Sequence, residues 1–299
     1  MRRVTARESA KTGPTGSDAM SASPGARARV TFASALASLV MASVPPAQAA
    51  SLGRVEAGRL EGARALAVRG DHHYILPRRH RGRGLRYGTP GLVALLLEAA
   101  AGVAQRFPGS RLALGNLSRK RGGAIRYSKS HQSGRDADVA FYMTDRRGRP
   151  LSPRDLVRFD RRGRSRRGHR FDLARNWALI ESLVSSPHAE VQWLLISAPL
   201  RERLLDYGRS TGAPLEVLKR AADTLHQPRW ALPHDDHLHV RVYCAREDVS
   251  RGCKDTGPRW TWVRNASASA SAPASTPSTP PLDPPAPASM PDGSLQSVD

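Results

Sequence analysis

His234-Asp235-Asp236-His237-Leu238-His239-Val240-Arg241-Val242-Tyr243 has the alternation of a half-buried strand. Leu238, Val240 and Val242 fall on one face, and His237, His239 and Arg241 project from the other. The apolar face needs a core to cover it, so the segment belongs to a sheet, and its polar face makes two imidazoles neighbours. Of the chain's 10 histidines, three fall between His234 and His239. A solvent-facing His-x-His costs nothing and arises by chance, but this density at the entry to a well-patterned strand favours a metal.

A second stretch, Ser130-His131-Gln132-Ser133-Gly134-Arg135-Asp136-Ala137-Asp138, runs through a Ser-Gly turn into the alternating strand Asp138 to Met143. Val139, Phe141 and Met143 are expected on the core side, with Asp136, Asp138 and Ala140 opposite, and the turn can return His131 beside the carboxylates. Alone, such a hairpin is more commonly explained by a surface ion pair. Together the two stretches offer His131, Asp138 and His239, two neutral nitrogens and one carboxylate, with a coordination position left for water. Zn2+ suits that mixture, whereas calcium or magnesium prefers mostly oxygen. His237 is then spare, beside a ligand and able to move a proton near neutral pH. Asp136 reads either as a partner orienting His131 or as a strand-entry carboxylate satisfying backbone amides. Arg241 reads either as a binder of a substrate carboxylate or as a solvated strand residue.

The pattern His131-x6-Asp138 followed by His237-x-His239 resembles the lysostaphin, D-Ala-D-Ala metallopeptidase and hedgehog superfamily. Within it, Ser130-His131-Gln132-Ser133-Gly134 with Asp136 and Asp138, and His234-x-x-His237-x-His239-Val240-Arg241, is similar to the penicillin-insensitive murein endopeptidases. The likeness runs from about Tyr74 to Trp262 and takes in Gly115-Asn116-Leu117-Ser118. It implies one zinc ion held by His131, Asp138 and His239, catalytic help from His237, and His234 lining the site. It further implies hydrolysis of cross-linked peptides in peptidoglycan, at D-Ala to diaminopimelate type bonds. Where some members carry a further His three residues before the first ligand, this chain has Ser128. His234-Asp235-Asp236-His237 stands where related carboxypeptidases carry Glu and Trp, which favours an endopeptidase over a D-alanyl-D-alanine carboxypeptidase. A wall-binding module that keeps zinc without hydrolysis is the other reading, and the intact His237 argues against it.

Elsewhere, Thr89 and Pro90 begin a helix with Leu92, Leu96, Ala99 and Val103 on one face, ending near Phe107-Pro108. Asp172 caps a second helix carrying Leu173, Trp177, Ile180 and Val184. A strand is expected over Val191 to Ser197, then helices over Pro199 to Tyr207 and Pro214 to Leu225. Helices and strands do not alternate regularly, so the expected fold is α+β: one domain, residues 69–264, with a small antiparallel sheet carrying the zinc site and helices flanking it.

The ends read differently. Arg27 and Arg29 precede the apolar run Thr31 to Val44, and Ala47-Gln48-Ala49 offers a small-residue cleavage site, so residues 1–49 are expected to be an export leader cut near Ala50. That run is too short for the roughly 20 residues of a membrane-spanning helix, and no transmembrane anchor is expected after cleavage. Residues 50–68 read as a linker, and 265–299, rich in Ser, Pro and Ala, as a tail with too little apolar surface to fold. Lys and Arg outnumber Asp and Glu by 47 to 26, a net +21. The excess is mostly Arg in runs such as Arg78-Arg79-His80-Arg81 and Arg161 to Arg167, without interleaved aromatics for base stacking, so no nucleic-acid partner is expected. A solvated basic surface is the reading those runs receive. Cys244 and Cys253 are expected to form a local disulfide in an oxidising compartment.

Overall fold

Strong apolar periodicity becomes regular structure in the computed structural model, which describes residues 49–229 and 231–263. The expected tail and all of the leader but Ala49 lie outside the described residues. In chain order, the strands that matter are β1 (Ala50–Arg54), β2 (Ala57–Glu61), β3 (His73–Ile75) and β4 (Leu112–Leu114). They continue with β5 (Asp136–Ala140), β6 (Val191–Leu195), β7 (Leu225–His226) and β8 (His237–Val242). The main helices are α1 (Pro90–Arg106), α2 (Leu173–Ser185), α3 (Ala198–Ser210) and α4 (Leu215–Thr224).

Six strands make the main sheet, in the order β7-β6-β8-β5-β4-β3. The centre is antiparallel, but β7 joins β6 and β3 joins β4 in parallel, so the sheet is mixed rather than the small antiparallel one expected. No local pattern reports this, because parallel edge partners are chosen by tertiary packing. In the central register His239 stands opposite Asp138, Arg241 opposite Asp136, and His237 opposite Ala140. One slip by a residue would turn every one of these side chains to the other face.

The other face holds the core. Leu112, Leu114, Ala137, Val139, Leu194, Leu238 and Val240 are buried in one cluster with Leu92, Leu96, Ala99 and Val103 of α1 and Trp177, Ile180 and Leu183 of α2. Each fully buried Leu or Val contributes about 1.5–3 kcal/mol relative to exposure. Both helices start where capping predicts: Thr89 Oγ1 accepts from Leu92 N (3.2 Å), and Asp172 Oδ1 accepts from Arg175 N (3.1 Å).

Two expectations are corrected. Strand β5 ends at Ala140, and Met143–Thr144 leaves for a three-stranded sheet with Pro150–Leu151 and Arg170–Phe171. The cause is Asn176 on α2, which accepts from Tyr142 N (3.0 Å) and donates to Tyr142 O (2.8 Å), diverting the backbone from the main sheet. Residues 50–68 are not a linker: β1 and β2 form a hairpin, Arg64–Ala65 pairs with Tyr87–Gly88, and Ala50, Leu60 and Leu66 are buried. Its bonds to distant segments, such as Leu60 N to Arg121 O (3.0 Å), tie it to the rest of the fold. Among the described residues, no helix is long and apolar enough to cross a membrane.

Candidate metal centre

Two loops bring histidines to the polar face of β5 and β8. His131 precedes β5 with a left-handed φ of 67°, and His234 precedes β8 with a φ of 54°; they are the only non-glycine residues with positive φ among those described. Such backbone is costly for a residue with a Cβ and persists where the surroundings hold it, most often at functional sites.

His131 is fully buried. Its Nδ1 lies 3.1 Å from Leu117 O, and since a carbonyl only accepts, Nδ1 donates and Nε2 is the nitrogen turned to the site. That Nε2 is buried without a hydrogen-bond partner and lies 3.2 Å from Asp138 Oδ1. His239 has the opposite polarity. Its Nε2 donates to Asp136 Oδ1 (2.8 Å), which turns Nδ1 to within 3.3 Å of Asp138 Oδ1. Asp138 is held from behind by Asn116, whose Nδ2 donates to Oδ2 (2.9 Å), so Oδ1 is the oxygen facing the histidines. The two rings meet edge to face at 4.8 Å.

Ligand atoms of His131, Asp138 and His239 all lie within 4.8 Å of one another, and so do those of His234, His237 and His239. The first group is buried throughout, while the second has two half-buried members. The donor chemistry of the first fits a zinc ion: two imidazole nitrogens and one carboxylate oxygen, each fixed by a hydrogen bond on its far side. An unpartnered nitrogen in a dry site is costly unless a cation or water meets it.

His237 Nδ1 donates to Asp236 Oδ1 (2.6 Å), and its Nε2 lies 3.4 Å from Asp138 Oδ1. Burial opposes charge on this ring, but Asp138 and Asp236 outweigh it and raise the pKa to about 10 in the protein alone. A cation on Asp138 acts in the opposite direction, because it occupies the same negative charge. Burial, with His239 and His237 nearby, lowers His234 to about 4, so that ring is neutral. Its centroid is 5.0 Å from that of His237 and 5.6 Å from that of His239.

Asp136 is fully buried and does more than satisfy a backbone amide. It touches the backbone N of His131 (3.2 Å), but the ring it orients is that of His239, and it also accepts from Arg241 Nε (2.7 Å). Burial alone would raise its pKa; Arg241 and His239 overcome that and lower it, so it stays ionised. Arg241 is accordingly not a merely solvated residue. Sequence reading assigned no role to Asp236, Asn116 or the Leu117 carbonyl. The first was legible in its adjacency to His237, and the others lay in a quoted stretch whose function appears only through long-range contact. Cys244 and Cys253 are bridged, with sulfurs 2.01 Å apart.

A family model described as penicillin-insensitive murein endopeptidase matches residues 51–263. No curated protein matches the chain.

Proposed function

The chain belongs to the penicillin-insensitive murein endopeptidase family, and on that premise we propose that it is a zinc-dependent enzyme hydrolysing the D-Ala to diaminopimelate type peptide cross-links of peptidoglycan. The observation that carries the metal part of this reading is the buried, unpartnered Nε2 of His131, facing Asp138 Oδ1 beside His239 Nδ1. His131, Asp138 and His239 would hold the ion. Bound there, Zn2+ supplies Lewis acidity toward the scissile carbonyl and toward water.

The protein's own groups do the rest. Leu117 and Asp136 set the tautomers of the two ligand rings, and Asn116 keeps one carboxylate oxygen turned to the site. Asp236 fixes the proton of His237 on Nδ1, so Nε2 is the nitrogen that accepts or returns a proton during amide cleavage, or donates to the developing oxyanion. Neutral His234 lines the same wall. No serine nucleophile is called on, so a β-lactam that acylates serine leaves such an enzyme active. Ala47-Gln48-Ala49 after an apolar run supports export with a mature start near Ala50, which N-terminal sequencing of envelope protein checks.

Digestion of purified peptidoglycan, with and without a chelator and after zinc is restored, tests the function. Loss of cross-linked dimers in favour of monomers, stopped by the chelator and restored by zinc, is expected. Unchanged cleavage after complete metal removal would overturn the metal-dependent reading, and release of terminal D-Ala alone would make the enzyme a carboxypeptidase.

A further inference from the structure

The run Arg78-Arg79-His80-Arg81-Gly82-Arg83 has the composition of solvated charge, yet part of it turns inward. His80 is buried. A Cβ built on Gly115 would lie 3.0 Å from Asp138 Cβ and 3.4 Å from His80 Cδ2, so this loop descends beside the carboxylate of the metal centre. Arg83 closes the 3-10 turn Arg81–Arg83 and is half-buried. Its Nη1 donates to Asn116 Oδ1 (2.9 Å), and the same amide donates through Nδ2 to Asp138 Oδ2 (2.9 Å). One amide therefore separates the guanidinium from the metal-facing carboxylate. Arg83 Cζ also sits 3.7 Å from the centre of the Tyr127 ring, whose residue is 46% exposed.

A guanidinium offers donors along two edges that match a carboxylate. With Nη1 committed to Asn116, the Nε–Nη2 edge remains, and among the described residues neither atom has a hydrogen-bond or ion-pair partner. Asp155 pairs with Arg79 (3.0 Å) and lies 3.9 Å from His80 Nδ1. The Tyr127 ring and the Asn116 bond pre-order the guanidinium, which lowers the cost of binding an anion.

We propose that Arg83 is a substrate-binding residue, its Nε–Nη2 edge receiving a carboxylate of the peptide substrate next to the bond that is cut. The identity of that peptide rests on the murein reading above; the carboxylate preference rests on the guanidinium. Dimeric murein peptides with free carboxylates, and the same peptides with carboxylates converted to amides, are given to zinc-loaded wild type, R83M and R83K, normalised to bound metal. For the free-carboxylate peptide, kcat/KM of R83M should fall about 10- to 100-fold, mainly through KM, the scale of a lost hydrogen bond to a charged group. On the amidated peptide, wild type and R83M should agree within about twofold, and R83K, which keeps charge but loses the fork, should lie between them on the first substrate only. Equal losses on both substrates would show that Arg83 acts only by bracing Asn116 and Asp138, and would overturn the proposal, as would no loss on either. If R83M fails to fold, the R83K ratio decides by the same criterion. If wild type cuts neither peptide, the murein peptidase reading fails; calorimetric binding of the free-carboxylate peptide to wild type and variant then still decides Arg83.

Discussion

The two histidine groups of the site share strand β8 but live in different surroundings. His131 and His239 are buried, stand edge to face, and are each anchored by a far-side acceptor, Leu117 O or Asp136. His234 and His237 are half-buried, and the latter is anchored by its sequence neighbour Asp236. Rings locked by distant parts of the fold suit a metal, which needs fixed lone pairs. A ring held by its own neighbour, with an edge toward solvent, suits proton transfer, which needs exchange with substrate and water.

The comparison breaks most readily at its inner member. Asp138→Ala or His239→Ala should remove bound zinc and with it nearly all murein cleavage, as metal analysis and product chromatography would show; retention of both would put the metal elsewhere. His237→Ala should keep its zinc while turnover falls about 100-fold or more. If that variant loses the metal while His239→Ala keeps it, inner and outer roles are reversed.

Asp136→Asn refines the inner group, because it keeps the shape but weakens the charge-assisted bond to His239. Zinc affinity, read by competition with a chelating dye, should drop about 10- to 100-fold; an unchanged affinity would make Asp136 a partner of Arg241 alone. The mildest change should be paired replacement of Cys244 and Cys253 by Ser. Lost chain constraint predicts about 2–3 kcal/mol less stability in denaturant, with metal content and turnover preserved. A coincident loss of zinc would join the disulfide loop to the inner group.

Much of this was legible in sequence where the signal was local. Leu238, Val240 and Val242 declared the buried face of β8, and hence the opposite face that carries His237 and His239. Thr89-Pro90 and Asp172 declared two helix starts. What escaped was set by distant contacts. The β1–β2 hairpin is held by partners far along the chain, such as Arg121 and Gly252. Asp136 lies five residues from His131, so proximity in sequence suggested the wrong ring; the register of β5 against β8 sets it opposite Arg241 and diagonal to His239, whose ring it holds. The inward turn of Arg83 was hidden because an arginine run looks the same whether one guanidinium points at solvent or at Asn116.

Gly53 and the disulfide loop close the domain on itself. Gly53 N donates to Gly252 O and Lys254 N donates to Gly53 O, both at 3.0 Å. Buried Arg135 joins the same two segments, donating to Ser51 Oγ (3.1 Å), Lys254 O (3.1 Å) and Asp255 Oδ1 (2.6 Å). Topologically, then, residues 51 to 255 form a ring whose seam is hydrogen-bonded rather than covalent. A circular permutant that links the two sides of this seam and reopens the chain at the exposed turn Arg146–Gly148 would preserve every pairing of the six-stranded sheet.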